Sequence, residues 1–185
     1  MDCHCRLETI MGNFQSRLSD EEYQWFDENT FFARVEIMKI YNLFSDLTKT
    51  SMVMPRDQFL GLPVMKHNPF KFRIFSIFCE DGESMNVREF VHFLSIFSDG
   101  ASLEVKAYFA FLIYDVNEDD FLDKDDLAFI IENIVANDLG RKEIKVILNS
   151  ILAEADYDGD GKLSLAEFQH VVQRTPNFRQ SWILM

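Results

Sequence analysis

Apolar side chains recur at helical spacing along most of the chain. Val35, Met38 and Tyr41 run beside Ile37, Ile40 and Phe44; Phe70, Ile74 and Ile77 follow; Ile144, Ile147, Leu148, Ile151 and Ala155 form a later stripe. No six-residue stretch alternates strictly, so the pattern predicts helices and no extended sheet. Breakers at Pro55, Pro63, Asn68-Pro69, Gly82, Asp99-Gly100, Gly140, Gly159, Gly161 and Pro176 cut the pattern into pieces of ordinary helix length, roughly 8 to 16 residues. The expectation is an all-α protein, with the Ser98-Asp99-Gly100 turn as the seam between two lobes.

Composition narrows the class. The 185 residues are 48% hydrophobic and include 19 Phe, too apolar for an acidic disordered chain. With 31 acidic against 18 basic side chains the formal net charge is -13, which argues against nucleic-acid binding, since that needs a basic surface. Cys3, Cys5 and Cys79 do not make a full disulfide set, no run of about 18 apolar residues occurs, and no secretory signal opens the sequence. The expected place is the cytoplasm, with nothing spanning a membrane. His4, His67, His92 and His170 are scattered without a paired nucleophile, so no enzyme is expected.

The charge is not spread evenly. Residues 156–167 read Asp-Tyr-Asp-Gly-Asp-Gly-Lys-Leu-Ser-Leu-Ala-Glu, placing oxygen side chains at loop positions 1, 3, 5, 9 and 12 and glycine at position 6. This is the consensus of the EF-hand calcium loop. Asp156, Asp158 and Asp160 offer hard oxygens to a hard cation, the Lys162 carbonyl adds one, and Ser164 acts through a water. Gly161 takes the sharp turn, and Glu167, one methylene longer than aspartate, reaches back with both oxygens. Apolar helices flank the loop through Ile151 and Leu152 on one side and Phe168 and Val171 on the other.

A second loop lies upstream at 115–126, Asp-Val-Asn-Glu-Asp-Asp-Phe-Leu-Asp-Lys-Asp-Asp. Its candidate ligands are Asp115, Asn117, Asp119, the Phe121 carbonyl and Asp126. Position 6 is Asp120 instead of glycine, which is tolerable because aspartate visits the left-handed backbone region at modest cost. Position 12 is Asp126, whose shorter arm supplies one oxygen and lowers coordination towards the six that Mg²⁺ prefers. Two Ca²⁺ sites are expected, the 115–126 loop binding calcium more weakly and holding Mg²⁺ at resting calcium. Leu122 and Leu163 share position 8, which fits two loops paired through a short two-stranded contact. Together the two loops hold 11 acidic residues and two lysines, a net -9 of the total -13.

The first half has room for another pair. Aligning Met85 to position 8 puts Glu89 at position 12 and Phe78 at position 1, where no ligand is available. The loop has lost a residue. Leu47–Gln58 would be the first loop, with Leu47 and Lys49 where oxygens are required. Both read as structural hands that kept the fold and lost the ion.

Two silent hands followed by two working ones, with Asp126 closing the third, resemble the calcium- and integrin-binding protein family, the calmyrins. Further runs carry the resemblance: Thr30-Phe31-Phe32, Leu62-Pro63 before Asn68-Pro69-Phe70, Phe97-Ser98-Asp99, Phe109-Ala110-Phe111, Glu167 to Val171, and Arg174 to Phe178 before an apolar ending. It spans about residue 17 to the end. The departures are the shortened second loop, the shorter linker through Thr48 to Val53, and Asp120.

The resemblance implies four EF-hands in two lobes. A tail covers 1–19, a lobe with two degenerate hands 20–99, a lobe with two metal-binding hands 100–174, and an apolar extension 175–185. It implies a calcium-responsive adaptor that captures an amphipathic helix of a larger protein, such as an integrin tail, a kinase or a channel subunit. EF-hand pairs expose an apolar groove suited to that use. The ending, with Phe178, Trp182, Ile183 and Leu184, is expected to occupy the groove until a partner displaces it. A calcineurin-B-like regulatory subunit and a calcium or magnesium buffer stay open as alternatives. Met11-Gly12-Asn13-Phe14-Gln15-Ser16 fits the myristoylation pattern, which would act on Gly12 only in a form starting at Met11 and anchor it reversibly at the cytoplasmic face of a membrane.

Overall fold

A computed structural model describes residues 18–49, 51–134, 139–175 and 178. Its elements run α1 (Asp20–Asn29), α2 (Arg34–Leu47), β1 (Val53–Pro55), α3 (Arg56–Leu60), α4 (Lys71–Phe78), β2 (Ser84–Asn86), α5 (Val87–Phe97), α6 (Leu103–Tyr114), α7 (Lys124–Ile134), α8 (Arg141–Ala155) and α9 (Leu165–Arg174). The fold is all-α, built from helix–loop–helix hands. Among the described residues no helix is long and apolar enough to cross a membrane.

Several helices start where local chemistry provides a stop for free amides. Ser19, Asn86 and Ser164 each accept from the first turn of the helix they open, while Glu22, Glu89 and Glu167 three residues on reach back to the capping residue's own amide. In the hands this motif has a second use, because the returning glutamate stands at loop position 12.

The degenerate hands keep the pairing of working ones. β1 and β2 are antiparallel with Met54 opposite Met85, both fully buried, and Leu122 pairs with Leu163 through two N–H···O bonds of 2.9 Å. Position 8 therefore faces position 8 in both pairs, and Pro55, expected only as a breaker, lies inside β1 opposite Ser84. A two-stranded ladder tolerates it at an edge.

Two loop starts move, from Phe78 to Cys79 and from Leu47 to Thr48. In each acidic loop the aspartate at position 1 closes the entering helix, Asp115 N–H donating to the Phe111 carbonyl and Asp156 N–H to Leu152. Cys79 makes that bond to Phe75, so Cys79 takes position 1 and Phe78 is the last helical residue, buried in the core. The missing residue thus lies within the loop. Thr48 closes α2 in the same way, so Thr48–Gln58 and Cys79–Glu89 each hold 11 residues against 12 in 115–126 and 156–167.

The expected seam at Ser98-Asp99-Gly100 joins two pairs of hands that share one apolar interior. A single cluster runs from Phe44, Met54 and Phe59 through Phe75, Phe90 and Phe93 to Phe111, Leu122, Leu152 and Leu163. Phe78 of α4 stacks on Phe109 of α6, with centroids 5.1 Å apart and planes at 12°, and Phe70 meets Tyr114 edge-on at 5.4 Å. Aromatic contacts of this kind add about 0.5–1.5 kcal/mol each beyond the area they bury. A smaller cluster of Leu18, Tyr23, Phe26, Ile37 and Val91 seats α1 and α2 on α5.

Candidate metal centre

The loop between α8 and α9 gathers its carboxylates through its own backbone. Asp156 accepts from the amides of Gly159 (2.7 Å) and Gly161 (2.8 Å), Asp158 from Asp160 (3.1 Å), and Asp160 from Lys162 (2.8 Å). Gly159 and Gly161 both take positive φ, +76° and +85°, in the region where a Cβ is penalised. Glu167 Oε1 accepts from the Tyr157 amide (2.7 Å), and Oε2 from the amide (2.8 Å) and hydroxyl (2.7 Å) of Ser164. Burial acts to raise the Glu167 pKa, but these donors outweigh it and hold the carboxyl below the usual glutamate range, ionised at neutral pH.

Ligand oxygens of Asp156, Asp158 and Glu167 lie within 4.8 Å of one another. Carboxylates brought that close are favoured by a cation standing among them, and an all-oxygen set suits Ca²⁺ or Mg²⁺ over softer metals. Asp160 is outside that group, and Lys162 precedes the Leu122–Leu163 bridge, which fixes the backbone beside its carbonyl.

The loop between α6 and α7 repeats the scaffold with different parts. Asp115 accepts from Asp119 N–H (3.2 Å) and Asp120 N–H (3.0 Å), Asn117 from Asp119 N–H (3.1 Å), and Asp119 from Phe121 N–H (3.0 Å). The two positive-φ positions, glycine in the other loop, are Glu118 at +61° and Asp120 at +65°. Asp126 accepts from Val116 N–H (3.0 Å) and Asp123 N–H (3.2 Å), matching the two amide contacts of Glu167 at one methylene shorter reach.

The environments differ all the same. Burial raises the Asp126 pKa, and the amides of Asp123 and Val116 do not compensate. Among the described residues the carboxylates of 115–126 do not converge as those of 156–167 do. One of them is engaged across the pair: Lys162 Nζ donates to Asp119 Oδ2 at 2.9 Å and lies 5.2 Å from the Phe121 ring centre. The side-chain bond to Lys162 lowers the Asp119 pKa, and the same bond raises that of Lys162.

The two N-terminal loops are closed by internal bonds of their own. At position 12 of the first, Gln58 donates its side-chain amide to the Leu47 carbonyl, and Thr48 donates to the Phe44 and Ser51 carbonyls. In the second, Asp81 accepts from the amides of Glu83 and Ser84, both at 2.7 Å, which holds its pKa down at about 2. Glu89 keeps the backbone role of position 12, accepting from Glu80 N–H (2.9 Å) and Asn86 N–H (2.6 Å).

A family model of the EF-hand domain pair matches residues 104–173, the stretch holding both acidic loops. Over 179 residues, 91% of this chain and 96% of the relative, the sequence is 33% identical to calcium and integrin-binding family member 2 of Homo sapiens and 35% identical to member 3 of the same species. The chain belongs to the calcium and integrin-binding family. A third relative, member 2 of Drosophila melanogaster, is 33% identical over 181 residues. Because the likeness to these family members covers nearly their full length, it takes in the silent hands as well as the acidic ones.

Of the residues singled out for the partner side, Phe178 is described. It is half-buried and packs against the main apolar cluster. Gly12, Trp182, Ile183 and Leu184 lie outside the described residues. Two features beyond the reach of sequence reading join the site: the Lys162–Asp119 bridge, spanning 43 positions, and Arg73, which donates to the Leu112 and Asp115 carbonyls.

Proposed function

We propose that this protein is a calcium-responsive regulatory adaptor with two cation sites and no catalytic role. The supporting observation is the convergence of Asp156, Asp158 and Glu167 in a chain of the calcium and integrin-binding family. Asp156, Asp158, Asp160, the Lys162 carbonyl and Glu167 hold Ca²⁺ in the fourth hand. Asp115, Asn117, Asp119, the Phe121 carbonyl and Asp126 hold Mg²⁺ at rest in the third, giving way to Ca²⁺ at higher concentration. A bound cation supplies the positive charge that lets the position-12 carboxylate tie the exiting helix to the loop, so occupancy biases the angle between helices and the apolar surface they expose.

The partner is an amphipathic helix from a larger protein. The relatives' names point to an integrin, whose cytoplasmic tail is the segment we propose is bound, and helix-in-groove binding suits a Phe- and Met-rich interior. Phe178, packed on the core, supports the reading that the C-terminal extension is a resident plug. Work at the cytoplasmic face of a membrane, through a lipid on Gly12 in a form starting at Met11, belongs to the same reading; intact-mass measurement of the native protein checks it.

The test is calorimetric titration with a synthetic integrin α-subunit tail peptide, in Ca²⁺ and in chelator, on the full chain and on one lacking residues 176–185. Binding should need the cation and should tighten on truncation. Equal affinity with and without Ca²⁺ contradicts the sensor reading, and unchanged affinity on truncation contradicts the plug.

A further inference from the structure

The third loop adopts the backbone of the fourth without its glycines. At position 4 the fourth loop has Gly159, at φ +76°, and the third has Glu118, at +61°. A non-glycine residue is disfavoured there, and beyond the loop's own amide contacts a side chain from outside supports the bent form. Arg73 lies beside it. This side chain comes from α4, the entering helix of the second hand, and only 20% of it is exposed. Its Nε donates to the Leu112 carbonyl at 3.1 Å, its Nη2 to the Asp115 carbonyl at 2.8 Å, and its Nη1 to the Glu118 carboxylate.

Those contacts fall on the last turn of α6, on loop position 1 and on loop position 4. The final carbonyls of a helix lack intrahelical partners and carry the negative end of its dipole, so a guanidinium is favoured there. A planar fork with fixed donors sets the spacing of three acceptors in a way that a single ammonium cannot. We propose that Arg73 is a positioning residue for the third loop: it holds the 115–119 turn in its cation-ready form and thereby couples the metal-free pair of hands to cation occupancy in the other pair. The inference rests on the reading that 115–126 takes a divalent cation. Its alternative is purely electrostatic, a half-buried positive charge beside an anionic loop that repels the incoming ion and weakens binding.

The two differ in sign and in what lysine can do. In full-length protein carrying Glu167→Gln, so that the third loop is read alone, Mg²⁺ and Ca²⁺ are titrated by calorimetry against Arg73→Lys and Arg73→Met. Positioning predicts that both variants bind about tenfold more weakly, the usual loss when an outer partner of metal ligands is removed. Amide exchange is measured alongside. Mg²⁺ should slow exchange in Lys71–Phe78 of the Arg73 protein and not of the variants, since coupling between two sites is reciprocal. Arg73→Lys binding like its parent, or Arg73→Met binding more tightly, overturns the proposal. Should the parent bind neither ion, the cation reading of the loop fails, and exchange in the cation-free proteins still decides the clamp. The Asp119 and Asp120 amides, which donate to Asp115, should exchange faster in both variants; unchanged rates overturn it.

Discussion

The loops at 115–126 and 156–167 are two solutions to one backbone problem. Both pair position 8 with position 8, both bend through positive φ at positions 4 and 6, and both return a carboxylate from position 12 to the amide of position 2. The fourth loop meets these demands with its own residues, two glycines and a glutamate. The third uses Glu118, Asp120 and a short aspartate, with Arg73 gripping one side and Lys162 the other. The difference teaches that an EF-hand loop need not be self-sufficient, and that one which borrows from its neighbours becomes a point of communication.

Exchanging the position-12 arms should give the largest change. Asp126→Glu is expected to raise Ca²⁺ affinity of the third loop roughly ten- to a hundredfold, as one charged ligand contact of ~1.5–3 kcal/mol is gained, with less effect on Mg²⁺. Glu167→Asp should shift the fourth loop towards Mg²⁺. Competition calorimetry with both ions checks the pair, and unchanged selectivity would break the comparison.

The bends come next. Nothing lies within 4 Å of a Cβ placed on Gly161, so Gly161→Ala meets only the conformational penalty of about 1–2 kcal/mol and should weaken the fourth site roughly five- to thirtyfold. The reverse change, Asp120→Gly, should strengthen the third site by severalfold, about 1 kcal/mol or less, because aspartate already tolerates this region. Calorimetry of each variant with the opposite loop silenced reads both. Loss of affinity in Asp120→Gly would mean that the Asp120 side chain contributes more than its backbone shape.

The smallest effect lies where the two pairs of hands meet. His92 lies edge-on to Phe78 and Phe109, centroids 5.7 and 5.8 Å away, and burial lowers its pKa below the ordinary 6.5. The unfolded chain therefore takes up this proton first. The stabilising contribution is complete above about pH 6.5 and is lost as pH falls through that value towards the folded pKa. His92→Phe should flatten the dependence of Tm between pH 7 and 5 in calcium-free protein, and an unchanged slope would contradict it.

Much of this was legible in the chain. The 12-residue period of oxygens in 156–167 reports the loop directly, because each residue type answers to one ligand or one bend. Aligning Met85 to position 8 also sufficed to place the second loop, since the small ladder between loops does not depend on the oxygens of a ligand set. The position of the lost residue was not legible. An 11-residue loop can close from either end, and the choice of Cys79 over Phe78 follows from Phe78 being needed in the core against Phe93 and Phe109. The clamps on the third loop were hidden for another reason. Arg73 and Lys162 reach across about 40 residues to their acceptors, and the one local sign was an arginine within the apolar run from Phe70 to Phe78. The seam was legible as a junction of two lobes, but the contacts of Phe78 with Phe109 and of Phe70 with Tyr114 that join their interiors were not.

The most direct test of the central claim, that two of four hands hold cations and Glu167 closes the tighter one, is a Ca²⁺ titration by calorimetry of the full chain and its Glu167→Gln variant without Mg²⁺. The account predicts two ions per chain for the parent, and one for the variant with the higher-affinity phase gone. Two ions in both proteins, with the tight phase intact, would contradict it.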